Sequence, residues 1–184
     1  MQTYTIQPVS AMRAHPEMIP DVGGLYALIL DHPEELDPSL DRAGLKLEEV
    51  FLSGRHVLYI GATGHSLRRR LKHHLADDTC MSTFRMSLGA VLMEALGLEV
   101  RARPGQRYFG FEPHSEALLS AWIAEHVSVA VRPHARARDV EQRLIARAQP
   151  PLNIAGRGAN EGAAEMARLR RRCRGLPLQP GTLN

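Results

Sequence analysis

Tyr59 closes the apolar run "HVLYIG", and Arg70 and His74 follow it, four residues apart, in the basic stretch "SLRRRLKHHL". An arginine grips phosphate or carboxylate with a two-pronged fork. A histidine moves protons near neutral pH, and a phenol can give or accept a hydrogen bond. On a helical wheel Leu67, Leu71 and Leu75 form the buried stripe. Arg70 and His74 lie together along one edge of that stripe, whereas Arg69 and His73 point away. Tyrosine, arginine and histidine would then share a polar pocket at the rim of a core. The stretch also reads as a solvated basic helix face, and by itself it leaves both readings open.

A second candidate is Glu141. In "VEQRLIARA" it stands with Leu144, Ile145 and Ala148 at i, i+3, i+4 and i+7, on the side of the apolar stripe. A carboxylate there needs a partner, either an arginine or a metal ion. The competing account is a first-turn glutamate that complements the helix dipole, beside an Asp139/Gln142 capping box.

These side chains must be positioned by elements the sequence already outlines. "GGLYALIL" and "HVLYIGA" are runs of strand length, and "VSVAV" alternates as a strand does. The connector between the first two is too long for a hairpin turn and predicts a short helix of its own. Ser66 predicts a cap for a helix reaching about Ala76. Thr83–Leu96 has helical spacing and stops at Gly97, and Arg107–Glu112 reads as a further strand. Ser115 is expected to open a helix that buries Leu118, Leu119, Trp122 and Ile123 on one face. Asp139 is expected to cap the next helix, which Pro150 and Pro151 end. The sum is an α+β fold, a small three-stranded antiparallel sheet flanked by helices, with a helical insertion.

The chain is long enough to bury a core, and its 44% hydrophobic and 23% charged content is that of a soluble globular protein. No apolar run suits a membrane span, and the first residues lack the pattern of a signal peptide. Two distant cysteines, Cys80 and Cys173, suit a reducing, cytoplasmic compartment and cannot make a zinc site alone. The net charge of +3 says little, but its distribution says more. Lysine occurs only at Lys46 and Lys72, so arginine carries the positive charge. Acidic residues crowd Asp31 to Glu49, and basic ones crowd 65–75, 132–147 and 168–174. That asymmetry suggests a face turned toward a polyanion, although an arginine bias also follows from a GC-rich genome.

Taken in order, the motifs resemble the GIY-YIG nuclease superfamily. Gly24-Leu25-Tyr26 stands for the first signature with leucine replacing isoleucine, and Tyr59-Ile60-Gly61 is the second verbatim. The family then places an arginine on the following helix, often with a histidine four residues on, which fits Arg70 and His74. "EQRLIARAQPPLN" matches its last motif, from Glu141 through Pro150 to Asn153. Either tripeptide alone would be weak evidence; four motifs in order are strong. The connector between the signatures is longer than in compact members. The loop from Tyr59 to Arg70 is one residue longer than in many, so Arg69 competes with Arg70, which the helical wheel favours.

The resemblance implies a metal-dependent endonuclease hydrolysing DNA phosphodiesters with one Mg²⁺ or Mn²⁺. Glu141 would be the metal ligand, and Arg70 would hold the scissile phosphate. Tyr26 would contact the attacking water, as base or through a relay. Tyr59 and His74 would orient water or phosphate, with either able to take the base role, and Asn153 would support the site. The nuclease domain would span 22–154, with insertions about 31–55 and 80–120, after an N-terminal segment 1–21 and before an Arg-rich tail 155–184. One such site cuts one strand, so cutting both takes a homodimer or two successive binding events. The rival is a non-catalytic DNA-binding or regulatory module on the same scaffold, and a further alternative is an unrelated α+β protein with chance motifs.

Overall fold

The computed structural model describes residues 4–46, 54–101 and 108–175. The end of the connector, residues 102–107 including Arg107, and the Pro/Gly tail after Gly175 lie outside the described residues. In chain order the elements are β1 (Thr5–Pro8), α1 (Val9–Ala14), β2 (Gly24–Leu30), α2 (Asp37–Arg42), β3 (His56–Thr63), α3 (Leu67–Leu75) and α4 (Thr83–Leu92). Then follow β4 (Val100–Arg101), β5 (Gly110–Phe111), α5 (Pro113–His126), β6 (Val127–Pro133), α6 (Ala137–Ala148) and α7 (Glu161–Cys173).

The main sheet has the order β1-β6-β2-β3, antiparallel throughout. Three of its strands, β2, β3 and β6, are those the sequence predicts, so the fold is α+β as expected. The fourth, β1, extends the sheet through pairs from Thr5↔Val131 to Pro8↔Ser128. Four residues ending in proline carry too little pattern to announce an edge strand. The N-terminal segment thus joins the sheet. β4 and β5 form a separate two-stranded ribbon, and β5 is the part of "RYFGFE" that forms a strand among the described residues.

Helices cover both faces. α6 lies alone on one, where Ile145 and Ala148 pack on Ala27, Ile29, Val57, Ile60 and Ala130. The other face carries the larger core, including Tyr26, Leu28, Leu58, Leu67, Leu71, Phe84 and Val129. α7, at the start of the expected tail, packs on α4 and buries Met166, Leu169 and Cys173. Cys80 and Cys173 form no disulfide with one another. No helix among the described residues is long and apolar enough to cross a membrane.

Local capping follows the sequence in part. Ser66 caps α3 by accepting from the Arg69 N–H at 3.0 Å. α5, however, begins at Pro113, whose ring suits a first helical position. Ser115 is buried one turn in and instead takes the Glu99 N–H at 2.9 Å. Leu118 is 47% exposed rather than buried, because the sheet-facing side of α5 runs through Leu119, Trp122 and Ile123. Asp139 does not cap α6, which starts two residues earlier at Ala137. Its carboxylate instead accepts from Arg136 Nε at 3.1 Å.

Candidate active site

Tyr26 and Gly61 face one another across the β2–β3 pair. The absence of a side chain at Gly61 is what admits the phenol of Tyr26. A Cβ there would meet Tyr26 Cζ and Oη at 2.2 Å. Tyr59, two residues along, lies on the same side, with its ring stacked 6.4 Å from that of Tyr26. A register shift in the pairing then turns the strand, so that Leu28 meets Tyr59 but Ile29 meets Val57. This bulge lets Val57 and Ile60 serve the α6 core while both phenols stay on the opposite face.

α3 brings up the next two groups. His74 is fully buried beside Leu71, and its Nε2 lies 2.8 Å from Tyr26 Oη. Its Nδ1 lies 2.7 Å from Ser82 Oγ. Arg70 Nε donates to Tyr26 Oη at 3.2 Å, so the phenol sits between that guanidinium and the imidazole of His74. His74 is neutral at neutral pH. Burial first, and the positive charge of Arg70 second, hold its pKa well below the usual 6.5. Burial and the neighbouring Tyr59 push the Tyr26 hydroxyl far above its ordinary 10, so no phenolate stands there at neutral pH. For Arg70, burial works against the charge, but hydrogen bonds to both phenols outweigh it and hold the guanidinium firmly protonated. Arg70 therefore straddles the two tyrosines. Arg69 is exposed and makes no such contact, so the longer loop is resolved in favour of Arg70.

Glu141 approaches from α6 on the other side of the sheet. Its carboxyl is raised above 4.5, chiefly by burial, against the pull of the Ala62 N–H, Arg70 and Arg138. It is also close enough to Tyr26 to raise the phenol's pKa. The α6 carboxylate and the α3 guanidinium thus act on one another electrostatically beside Ala62, just past Gly61 on β3. Asn153 does a different job. Its Oδ1 accepts from Ile60 N and its Nδ2 donates to Ile60 O, both at 2.9 Å, while Leu152 N reaches Leu58 O at 3.1 Å. The "PLN" segment closes the open edge of β3 as a neighbouring strand would, and it fixes Tyr59 and Gly61 from behind.

A family model described as the GIY-YIG catalytic domain matches residues 24–172, well over half of the chain. The chain belongs to the GIY-YIG family. Comparison with curated proteins and with solved structures gives no match. The GIY-YIG domain implies a nuclease-type function in general terms, and the match runs past the expected boundary at 154 to include α7. The alternative of an unrelated fold with chance motifs falls away.

Two groups of this GIY-YIG site escaped sequence reasoning, and both stand at the start of α4. Ser82 caps that helix through Arg85 N at 3.0 Å while also receiving His74. Thr83 Oγ1 lies 2.9 Å from Tyr59 Oη. A serine just before a helical run is a legible cap, but its second partner is set only by packing.

The Gly61 geometry makes a prediction. Gly61→Ala is expected to displace the Tyr26 hydroxyl and to lower nuclease activity about 100-fold, the scale of an ångström-size misplacement. Overpacking should remove only about 1–3 kcal/mol of stability. Cleavage rates beside thermal melts check it, and unchanged cleavage would mean that the position of Tyr26 does not matter.

Proposed function

We propose that this GIY-YIG protein is a metal-dependent endonuclease that hydrolyses DNA phosphodiester bonds. The observation that carries the reading is the single constellation of Tyr26, Tyr59, Arg70 and His74 on one face with Glu141 at its rim. Among the described residues no three His, Cys, Asp or Glu side chains gather as a ready-made metal cage. A hard divalent cation does not need one. Mg²⁺ keeps several waters and takes one or two carboxylates with substrate phosphate oxygens. Glu141 fits that donor set, since its half-buried carboxylate is raised by burial and gains from a cation beside it. When bound, such an ion polarises the phosphate and acidifies water.

The chain's own groups divide the remaining work. Arg70 holds a non-bridging oxygen of the scissile phosphate and shares its developing charge. Tyr26 is only 1% exposed and is bonded on both sides, so it serves as the inner member of a relay rather than as the group that meets water. Tyr59 keeps partial access to solvent and is the phenol that faces the attacking water. Arg70, bonded to both phenols, favours whichever of them gives up a proton. His74 keeps Tyr26 oriented and offers Nε2 to its proton. Asn153 supports the strand and stays clear of the chemistry. Cutting both strands takes two copies or two encounters, and the two cysteines, which form no disulfide with one another, suit a reducing, cytoplasmic setting.

The test is conversion of supercoiled plasmid to nicked or linear DNA with Mg²⁺ and with chelator. Metal-dependent nicking that chelator abolishes is the expected result. No cleavage by the wild-type protein across several DNA structures and metals, with gel-shift binding retained, would favour the non-catalytic binding module.

A further inference from the structure

Tyr59 has a second neighbourhood that the mechanism does not use. With Thr83, Tyr108 and the Leu152–Ala155 segment it lines a cavity of about 460 Å³ whose remaining wall is Arg170, Arg171 and Arg174. That volume lies in the range of ligand sites, which run from about 300 to 1,000 Å³. The three guanidiniums come from the end of α7, the Arg-rich stretch for which the cleavage site has no role.

Basic residues at a helix C-terminus complement the dipole whatever else they do. That accounts for the charge but not for its convergence on one cavity beside a reactive phenol. Other arginines of the same helix are disposed differently. Arg168 pairs with Glu165 and Arg172 approaches Glu94 at 3.8 Å, both toward carboxylates. Arg170 is half-buried, and its hydrogen bond is to the sulfur of Met86 at 3.4 Å. Burial, and then the like charge of Arg174, weaken its hold on a proton, a tension that an anion would relieve. Tyr108, 44% exposed, adds an aromatic face at the mouth. Clustered arginines beside aromatic rings are the chemistry that holds a nucleic-acid backbone and its sugars and bases.

We propose that this cavity is a subsite for the DNA backbone flanking the scissile phosphate. Arg170, Arg171 and Arg174 hold a neighbouring phosphate, and Tyr108 offers its face to that nucleotide. The assignment rests on the nuclease reading, since Tyr59 is the wall shared by the two sites. It also gives α7 a reason to sit inside the matched domain.

The test compares two doubles that remove equal charge from one helix. R171Q/R174Q strips the cavity wall, and R168Q/R172Q strips the carboxylate-paired side. Arg170 is left in place because its burial makes it risky for folding, and thermal melts check both doubles. Binding of a fluorescein-labelled 16-base-pair DNA duplex is followed by anisotropy in chelator across a salt series. Each phosphate contact contributes about 0.9 to the slope of log affinity against log salt. R171Q/R174Q is expected to lower that slope by about 0.9, the loss of one phosphate, and to weaken binding about tenfold, with R168Q/R172Q near wild type. Equal slopes in the two doubles, or a wild-type slope in R171Q/R174Q, overturn the subsite. Plasmid nicking by the wild-type protein in Mg²⁺ is read separately. Its absence alongside arginine-dependent binding would overturn the nuclease reading and with it the position assigned to this phosphate. Intact nicking with no arginine dependence would overturn the subsite alone.

Discussion

Glu141→Ala is expected to abolish metal-dependent plasmid nicking, a fall of about 10³-fold or more. A metal's charge stabilisation is worth several kcal/mol, and each 1.36 kcal/mol is about a factor of ten in rate. The size follows from the donor set, because Glu141 is the one acidic side chain coupled to both Arg70 and Tyr26 in this site. Glu141→Gln keeps the volume and loses the charge, so it should be nearly as inactive. Stability should move the other way. A carboxyl whose pKa is raised on folding contributes least once the pH has passed through that raised value, so at neutral pH and without metal the charge is a burden. Glu141→Gln should therefore melt at or above the wild type in chelator and lose any stabilisation by Mg²⁺. The same shift puts the acid limb of the activity profile above the ordinary glutamate value of 4.5, since only the ionised carboxylate binds metal. Cleavage by Glu141→Ala within tenfold of wild type would remove it as the metal ligand.

The second large effect lies behind the site. Arg85 and Glu116 form an ion pair at 2.8 Å with side chains 1% and 7% exposed. Glu116 Oε1 accepts from Thr79 N and Phe111 N at 3.0 and 3.1 Å, and Oε2 accepts from Thr79 Oγ1 at 2.9 Å. Arg85 also donates to Ser120 Oγ at 2.9 Å. One carboxylate thereby ties α4, β5 and α5 to the turn at Thr79, just ahead of Ser82 and Thr83. Glu116→Ala leaves a buried guanidinium uncompensated, which costs about 3–5 kcal/mol. For a chain of this size each kcal/mol shifts Tm by about 2–4 °C, so a fall of about 6–20 °C is expected in a thermal melt. Replacing both partners by apolar residues should cost less than either single change, the signature of a coupled pair. Burial pushes the Glu116 carboxyl up, but Arg85 and the Phe111 and Thr79 N–H groups more than offset it, and its pKa is lowered below 4.5. Its contribution is thus full at neutral pH and drains away as pH falls below that value. A Glu116→Ala melt within about 2 °C of wild type would mean that the pair carries no net stability.

Much of this protein was legible in its residues. Apolar runs of strand length marked β2 and β3 and alternation marked β6, and a strand with a buried face cannot slip by one residue without exposing its core. The wheel of 67–75 set Arg70 and His74 at the core edge and turned Arg69 outward, since 3.6-residue geometry is local. Local rules also erred locally. Asp139 and Ser115 have the chemistry of caps, yet Arg136 and Pro113 were better placed to start those helices. What no local rule reaches is contact across the sheet. That Gly61 is bare because the Tyr26 ring lies over it depends on the register of β2 against β3. That Val57 turns to the α6 face while Tyr59 keeps to the face of Tyr26 depends on a bulge with no clear sequence mark. Ser82 meets His74 from eight residues away, Thr83 meets Tyr59 from 24, and Arg85 pairs with Glu116 across 31, all through packing between elements. Sequence determined which groups were available and which way each element turned them. Tertiary structure alone decided which groups met, because hydrogen bonds and desolvation act over a few ångströms of space and take no account of distance along the chain.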